Sequence, residues 1–430
     1  MPPDADGLRG AVLDHHAFVH LITSQHSTAL LMSLLTRRLA RTVWQYCSVP
    51  SPTDPRILDL LSSLPDYREQ DVFSVSSKLR AEGHDPDIVS SALTQSRLRQ
   101  QAAAKFGDGA KSMLFTADGL EQASRPDAAQ HHANTFLSAG IQTLREVGCG
   151  IGADTRAFAQ AGLTVYAREL DSGRVDIARH NLSAFPNVSV ELADGLADIS
   201  EEGLWADPAR RGPNGRINNP EEWAPPLSAV ISAARQARVA GIKVAPGIDF
   251  SHLPSDTTVE WLSSGGNLVE AIIWLGIGEP ARRAVLLDQG TLTVPGDPSR
   301  PSEMNDPREL GAYLYEPDPA VIRAGGIARL CDSHDLAPAA PGIAYLTGDT
   351  LVDSPFLEGF RVKSVLPMQE KKLARELKGR DIGSLEIKKR GVDITPEALR
   401  TRLKLKGTKP ATIILTPLLN SRNAVLVDRI

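Results

Sequence analysis

The sequence contains few cysteines and no long apolar run, and both absences restrict the class of protein. Its three cysteines, Cys47, Cys149 and Cys331, are too far apart to match the spacing of metal ligands. They favour a reducing compartment and argue against a disulfide or structural zinc framework, so we expect no metal. Residues 30–35, the most apolar early stretch, are too few to span a bilayer, and the N-terminus lacks the pattern of a signal peptide. We therefore expect a cytoplasmic protein without a membrane segment.

The charges are unevenly distributed along the chain. The formal net charge of −5 does not by itself suggest a polyanionic partner. Residues 361–409, however, contain 15 Lys or Arg and 6 Asp or Glu, a local charge of +9, which leaves −14 for the remainder. A basic C-terminal block on an acidic body indicates that this block has an anionic partner.

Composition and periodicity divide the sequence into four regions. A chain of 430 residues is too long for one ordinary core. Residues 1–105 show helical periodicity and predict a helical domain, and residues 106–295 mix short strands with helices. Residues 296–345 are rich in Pro and Gly and are interpreted as a linker. Residues 346–430 carry the basic block and end in a strand pair, which predicts a further domain.

Strands and helices alternate from residue 141 onward and then stop alternating. The strand "QTLREVG", the helix "ADTRAFAQAG" and the strand "LTVYARELD" begin a βαβ series, which predicts a parallel sheet. After the strand "GIKVAPG", the segments "VEWLSS" and "LVEAIIWLG" flank the turn "GGN" and predict a hairpin. A parallel sheet completed by an antiparallel hairpin is typical of class I methyltransferases. A dinucleotide-binding domain would continue to alternate.

The glycine loop "EVGCGIGAD" fits two kinds of nucleotide site. Gly148, Gly150 and Ala153 satisfy the dinucleotide pattern GxGxxG/A. Glu146 followed by Gly148, Gly150 and Gly152 instead matches the acidic glycine-rich loop of S-adenosylmethionine sites. The spacing of the glycines alone does not decide between the two.

Acidic residues at the ends of successive strands favour S-adenosylmethionine. Glu169 ends the second strand, where a carboxylate accepts from ribose hydroxyls in both kinds of site. Asp194 ends the third strand, where it can accept from an adenine amino group. Asp207 and Pro208 follow the fourth strand in "ADPARR", beside the crevice where ligands bind in such folds. Many nucleic-acid methyltransferases carry an Asp/Asn-Pro-Pro-aromatic motif there, whereas a dehydrogenase has no use for it.

The chain resembles the class I S-adenosylmethionine-dependent methyltransferases that carry a C-terminal THUMP-like domain, common in actinobacteria. The resemblance covers residues 105–430 and is carried by "KFGDGAKSMLFTADGLEQASRP", "EVGCGIGADT", "WADPARR", "EEWAPPLS", "KVAPGIDFSHLP" and "LEIKKRGVDITPEALRTRLKLKG". It implies a Rossmann-like α/β domain with a seven-stranded sheet, an N-terminal helical domain and a C-terminal α+β THUMP-like domain. It also implies S-adenosylmethionine as cofactor and RNA as partner, because THUMP domains generally belong to RNA-modifying enzymes.

The sequence departs from the nucleic-acid methyltransferase motif at two points. Ala209 and Arg210 stand where an aromatic residue often stacks on a flipped base, so the base clamp is unidentified. Asp-Pro-Ala-Arg resembles the motif of uracil-C5 methyltransferases, but those need a cysteine nucleophile after the next strand, and "KVAPGID" has none. A base nitrogen is therefore favoured over C5 or ribose as the methyl acceptor.

The candidate catalytic residues, substrate-binding cations and one more cofactor contact lie in three segments. Asp207, Pro208 and Arg210 are the candidate catalytic residues, with Asp207 accepting a proton or orienting an amino group. The loop after them supplies Arg211 and Arg216 for substrate phosphates. Thr116, before the first strand, is a candidate cofactor contact or a helix cap. The basic block offers phosphate-binding cations, namely Lys388, Lys389, Arg390, Arg402 and Lys404.

Two other functions remain open from the sequence alone. The missing aromatic residue allows a catalytically silent protein that binds S-adenosylmethionine or RNA. A small-molecule methyltransferase is also possible, although it would leave the basic block without a purpose.

Overall fold

The computed structural model describes residues 50–212, 215–287 and 289–430. Cys47 and most of the first half of the predicted helical domain therefore lie outside the described residues. The described chain divides into two units, one of residues 50–63 and 69–94 and the other of residues 64–68 and 95–430. The first unit is helical, as predicted, with α1 (Pro55–Ser63), α2 (Val72–Ala81) and the beginning of α3 (Pro86–Phe106).

A nine-stranded sheet forms the centre of the second unit. Its strands are β1 (Thr143–Val147), β2 (Thr164–Glu169), β3 (Val188–Leu192), β4 (Gly203–Ala206), β7 (Val239–Val244), β8 (Thr258–Ser264), β9 (Asn267–Leu275), β10 (Ala281–Leu286) and β11 (Gly290–Pro295). They are arranged in the order β11-β10-β8-β9-β7-β4-β1-β2-β3. The strands β3, β2, β1, β4 and β7 are parallel, and β9 is antiparallel to both β7 and β8. This confirms the predicted parallel sheet that ends in a hairpin.

The number of strands differs from the prediction of seven. Almost the whole of β8 is buried, so a sheet that ended there would leave apolar residues and unpaired backbone groups at its edge. The strand β10 pairs with β8 in parallel and β11 pairs with β10 in antiparallel register, which covers that edge. The class I fold is confirmed, and two further strands extend it.

Helices connect and cover the strands of this sheet. Their first turns follow local rules, since the side chains of Thr116 and Asp171 cap the helices that begin at Ala117 and Ser172, and Pro126 begins a third helix. The helices are α4 (Ala117–Gln122), α5 (Pro126–Ser138), α6 (Ala153–Gln160), α7 (Ser172–Leu182) and α8 (Leu227–Ala234). A two-stranded ribbon of β5 (Arg211–Gly212) and β6 (Gly215–Arg216) follows β4.

A second sheet of seven strands forms the C-terminal part of the same unit. Its strands, in the order β13-β14-β12-β15-β18-β17-β16, are β12 (Tyr313–Pro317), β13 (Ala337–Pro338), β14 (Leu346–Gly348), β15 (Leu357–Pro367), β16 (Ile382–Lys389), β17 (Lys409–Leu418) and β18 (Ser421–Arg429). The helices are α9 (Pro319–Arg323), α10 (Ile327–His334), α11 (Glu370–Gly379) and α12 (Pro396–Leu403). Leucines of α11 and α12 are buried against β15–β18, so this part has the predicted α+β architecture.

The interpretation of residues 296–345 as a linker is wrong. This segment contributes β12 and β13 to the second sheet, and β12 pairs with β15. Val321 and Leu330 of α9 and α10 lie in the same hydrophobic core as Trp261 of the first sheet. The Pro and Gly residues mark turns between short buried elements and not an extended connection. The other predicted domain boundaries stay predictions.

Candidate active site

A cavity of about 340 Å³ lies at the carboxyl edge of the first sheet, where parallel strands place their following loops. The segment before β1, the glycine loop after β1, the loop after β4, and side chains of β7 and β9 all contribute to its wall. Arg174 of α7 also lines it, so the cavity collects residues from six separate parts of the sequence.

The glycine loop has the backbone conformation that its sequence predicts. Gly148, Gly150 and Gly152 have φ values of +74°, +57° and +83°, in the left-handed region that favours glycine. Gly148 and Gly150 line the cavity, whereas Gly152 precedes α6 and packs so closely on Leu182 that a Cβ would lie 2.9 Å from its Cδ1. The first two glycines thus expose backbone to a ligand, and the third allows the close packing of α6.

Glu146 lines the cavity with a carboxyl oxygen that has no partner. It is 2% exposed, and Oε2 is buried without a hydrogen bond within the described residues. Burial, together with the charge of Asp154, raises the pKa of Glu146 to about 8. The side chain is therefore mostly protonated at neutral pH and is ready to ionise when a cationic group enters.

Glu169 supports the glycine loop from behind. Its Oε2 accepts from the backbone N–H of Gly150 at 3.0 Å, and Oε1 accepts from the N–H groups of Leu170 and Asp171. The carboxylate does not line the cavity. Glu169 lies at the end of β2, as expected, and its contact with ribose stays a prediction.

Asp194 and Thr116 also lie outside the cavity wall. Asp194 is exposed, and its Oδ1 accepts from the N–H of Leu196 at 2.9 Å. Thr116 caps α4, with Oγ1 accepting from the N–H of Gly119 at 3.0 Å. This is the capping role that the sequence left open for Thr116.

Asp207 lies in the cavity wall beside a lysine that the sequence analysis did not identify. Lys243 of β7 is buried, and its Nζ donates to Oδ2 of Asp207 at 2.8 Å. Burial raises the pKa of Asp207 above its usual range, and Lys243 opposes that increase. The Asp207 side chain keeps 30% of its surface exposed, and Oδ1 makes no hydrogen bond within the described residues.

A closed network of buried polar groups surrounds Lys243. Its Nζ also donates to Ser124 at 2.9 Å and lies 3.8 Å from Oε2 of Glu270. Ser124 donates to Oδ2 of Asp154 at 2.7 Å, and His132 joins Asp154 to Glu270 through its two ring nitrogens. The His132 ring stacks on Trp205 with centroids 4.2 Å apart, which restricts the orientation of the ring.

Opposite charges in this network hold one another ionised. Burial disfavours the charge on Lys243, but Asp207, Glu270 and Asp154 outweigh it and raise the pKa of Lys243 above its usual value. Burial likewise opposes protonation of His132, yet Glu270 and Asp154 raise its pKa to about 9. The lysine and the histidine are therefore cations at neutral pH, paired with three carboxylates.

The sequence contains weak indications of Lys243 and Glu270, which the sequence analysis did not identify. Lys243 and Glu270 are charged residues within strands whose neighbours are apolar, as in "GIKVAP" and "LVEAIIWL". A buried charge must be paired, so each of them indicates a partner elsewhere. The sequence does not reveal which residue that partner is.

Other predicted residues reach the cavity as well. Pro208, Arg210 and Arg216 line it, and the guanidinium of Arg210 lies 6.0 Å from the centre of the Trp223 ring. The Arg211 side chain lies outside the described residues, although the backbone of Arg211 pairs with that of Arg216. From the segment before β1, Lys105 and Arg125 also contribute cations to the wall.

The predicted cations of the basic block fall into two groups. Lys388 donates to Glu316 and Glu358 at 2.7 and 2.6 Å, and Arg390 also pairs with Glu316. Arg402 binds both carboxylate oxygens of Glu370. In contrast, Lys389 and Lys404 are exposed and form no ion pair within the described residues.

A further set of exposed cations lies on α11, which the sequence analysis did not single out. These residues repeat at helical spacing opposite the buried Leu373 and Leu377, and none forms an ion pair within the described part of the chain. They are Lys371, Lys372, Arg375 and Lys378, which together form the α11 basic face.

The chain is similar to proteins from one enzyme class. Two curated relatives, from Mycobacterium tuberculosis strains CDC 1551 and H37Rv, are described as uncharacterized S-adenosylmethionine-dependent methyltransferases. Each is 34% identical over 333 residues, which is 74% of this chain and 90% of the relative. The chain belongs to the S-adenosylmethionine-dependent methyltransferases.

Two family models and one crystal structure extend this result. A family described as THUMP domain-like matches residues 357–429, which span β15–β18, α11 and α12. A domain of unknown function (DUF8688) matches residues 58–102. A candidate methyltransferase from Porphyromonas gingivalis W83 is similar over 84% of this chain and 99% of its own, with a TM-score of 0.67 and 18% identity. That likeness concerns the fold.

The methyltransferase cavity fits its cofactor, S-adenosylmethionine. The unpartnered oxygen of Glu146 is suited to the ammonium of the methionine part, and the left-handed glycines open the loop to close approach. Within the described residues, no group of His, Cys, Asp and Glu side chains is arranged to hold a metal ion. No helix in the described part of the chain has the length and apolarity needed to cross a membrane.

Proposed function

We propose that this methyltransferase modifies a base nitrogen of RNA, with tRNA and rRNA as the RNA classes to test first. The observation that carries the proposal is a basic face without carboxylate partners on the THUMP domain-like region of a chain whose cofactor cavity is lined by arginines. Cations of this kind bind nucleic-acid phosphates without regard to sequence.

The cofactor is held by residues of the glycine loop and of the neighbouring strand ends. When bound, S-adenosylmethionine supplies an electrophilic methyl group, so the chain mainly has to align and deprotonate a nucleophile. Glu146 takes the ammonium, while Gly148 and Gly150 leave room beside the backbone. Glu169 accepts from ribose, and Asp194 accepts from the adenine amino group.

Asp207 is the proposed catalytic base. Asp207 lines the cavity and its Oδ1 makes no hydrogen bond within the described residues, so Oδ1 can accept the proton of a methyl acceptor, and Pro208 holds Asp207 at the end of β4. A carboxylate with a raised pKa is a stronger base than an ordinary one, which suits proton transfer near neutral pH.

Arginines beside Asp207 are proposed to hold the phosphates of the target nucleotide. Arg210 and Arg216 line the cavity, and Arg211 belongs to the same ribbon. Guanidinium groups bind phosphate through paired hydrogen bonds, which fixes orientation as well as register.

Cysteine chemistry does not support methylation at C5. Burial raises the pKa of Cys149 well above its ordinary value, so its thiol stays protonated and unreactive. Cys331 lies on α10, in the core between the two sheets, and does not line the cavity.

The α11 basic face is proposed as the main site for RNA phosphates outside the cavity. Lys388, Arg390 and Arg402 are each paired with a carboxylate, so a phosphate would have to displace that carboxylate to bind the cation. The α11 cations, with Lys389 and Lys404, need no such exchange. We therefore expect them to supply most of the salt-dependent affinity.

The proposal is tested by comparing modified nucleosides in RNA from the host with and without the gene. One nucleoside that carries an added methyl group should be missing in the deletion strain. It should return with the wild-type gene and remain missing with Asp207→Ala. Identical nucleosides in both strains would contradict the proposal and favour a silent binding protein or a small-molecule methyltransferase.

A further inference from the structure

The candidate base has a buried cation as its neighbour, and this pairing restricts the kind of methyl acceptor. Lys243 donates to Oδ2 of Asp207 at 2.8 Å while 6% of the lysine is exposed. The contact leaves Oδ1 of Asp207 for the substrate. Any nucleophile that reaches Oδ1 therefore reacts close to a fixed positive charge.

The other charged residues of the cavity wall also give it an excess of positive charge. Six Lys or Arg and five Asp or Glu residues line the cavity. One of the five, Glu146, would be paired with the ammonium of the bound cofactor, so its charge is neutralised locally. Cations therefore outnumber ionised carboxylates, and such a site stabilises a developing anion and destabilises a developing cation.

Base nitrogens differ in the charge that they develop during methylation. A neutral exocyclic amino group becomes cationic as it forms the new bond, and it loses its proton afterwards. A ring N–H between or beside carbonyl groups, as in uracil and guanine, gives up its proton first and attacks as an anion. The positive charges around Asp207 favour the second mechanism, in which a ring N–H is deprotonated before it attacks.

We infer that the methyl acceptor is a ring N–H beside at least one carbonyl group, of the uracil or guanine type, and that Lys243 is a positioning residue for its deprotonation. The inference rests on the proposed function. Asp207 takes the proton, and the electron pair of the N–H bond stays on nitrogen and forms the bond to the methyl carbon. The bond between carbon and sulfur breaks with its electron pair left on sulfur, so S-adenosylhomocysteine and the methylated base are the products. Lys243 balances the negative charge until the methyl group is transferred.

Product identification tests the inference directly. The full-length protein is incubated with methyl-labelled S-adenosylmethionine and total RNA from the deletion strain, and the nucleosides are separated by mass spectrometry. We expect the label in N3-methyluridine or N1-methylguanosine. Label on an exocyclic amino group, a carbon or a ribose would overturn the inference and leave RNA methylation standing. RNA without label would overturn both.

Variants of Lys243 test its positioning role. In Lys243→Met the loss of the positive charge raises the pH at which Asp207 ionises, so the acidic midpoint of kcat/KM should move up by about one unit or more. Lys243→Arg keeps the charge and should keep the midpoint near that of wild type. An unchanged midpoint in Lys243→Met would show that Lys243 has only a structural role.

Two controls separate this effect from misfolding. Calorimetric binding of S-adenosylmethionine verifies that each variant has folded. Lys105→Met removes another cation of the cavity wall, one that donates to the backbone carbonyls of Leu120 and Ala123 and not to Asp207. Its midpoint should stay within about 0.3 units of wild type, whatever its rate. An equal shift in Lys105→Met would overturn the specific role of Lys243.

Discussion

Glu146 combines a buried carboxyl group with an unpartnered oxygen, and this makes its protonation part of cofactor binding. The folded protein holds the proton up to about pH 8, whereas the ordinary value is 4.5. An ammonium beside the carboxylate would favour the ionised form, so binding near neutral pH should release a proton. Calorimetry in buffers of different ionisation enthalpy should detect this proton.

Between about pH 6 and pH 7, affinity for S-adenosylmethionine should rise about tenfold per pH unit. Glu146→Gln should bind more weakly and without this dependence.

The same residue gives a stability prediction whose sign follows from its raised pKa. The folded state retains a proton that the unfolded chain loses near pH 4.5, so stability without cofactor falls as pH rises from 4.5 to about 8. Glu146→Gln mimics the protonated form and should therefore be more stable than wild type above pH 8, by roughly 2–4 kcal/mol. The two proteins should unfold alike near pH 4.5. Equal denaturant midpoints at about pH 9 would contradict this account.

Glu169 is expected to affect cofactor affinity through the loop as well as through ribose. Glu169→Ala removes acceptors from three backbone N–H groups, including that of Gly150. We expect calorimetry to show binding of S-adenosylmethionine weakened by roughly 2–4 kcal/mol. Asp171→Ala, which removes only the cap of α7, serves as the neighbouring control and should change affinity little. Unchanged affinity in Glu169→Ala would remove Glu169 from the site.

Asp207 should influence turnover and leave cofactor binding nearly unchanged. If the acceptor is a ring N–H that must be deprotonated, Asp207→Asn keeps the shape but loses the base, and kcat should fall by roughly 10²–10⁴. An acceptor that needs only orientation would retain much of its rate in Asp207→Asn. Full activity in both Asp207→Asn and Asp207→Ala would mean that Asp207 merely ends β4.

At the scale of an element, the α11 basic face is expected to determine the salt dependence of RNA binding. The double variant Lys371→Ala/Arg375→Ala removes one lysine and one arginine that have no carboxylate partner. The slope of log affinity against log salt should become shallower by roughly 1.5 to 2. The variant Lys363→Ala/Arg402→Ala is the matched control, since it removes the same two residue types from ion pairs with Asp428 and Glu370. Its slope should change less. Equal slopes for both variants would place the RNA surface elsewhere.

At the scale of the whole molecule, the two sheets are expected to unfold together. Tyr315, Val321 and Leu346 lie in one core with Val259 and Trp261 of the first sheet. Deletion of residues from 345 onward would remove β14 and β15, the two neighbours of β12, and would expose that core. We expect the truncated protein to lose its cooperative thermal transition. A stable truncated protein with normal affinity for S-adenosylmethionine would show that the first sheet is independent. Surface variants are therefore better suited than truncation to separate RNA binding from cofactor binding.

Local patterns were sufficient for the parts of the molecule that depend on neighbours in the chain. The alternation of strands and helices, the left-handed glycines and the positions of Glu146 and Asp207 follow from periodicity and turn chemistry over short stretches. The covering of a sheet edge by further strands does not follow from such short stretches. The strands β10 and β11 were left out of the predicted fold because the need to cover β8 appears only once β8 is known to be fully packed.

The sequence by itself determined the class of fold, the cofactor and the acids at the strand ends, since each depends on residue type at fixed spacing. Tertiary structure alone decided which charges meet. Lys243 lies 36 residues from Asp207 in sequence, and His132 lies 138 residues from Glu270. Lys388 and Glu316 are 72 residues apart. Charge counting predicted a basic block without showing which of its cations are paired, whereas folding paired some of them with carboxylates and left the α11 basic face to solvent. A Coulomb interaction depends on distance in space, and only the folded chain sets that distance.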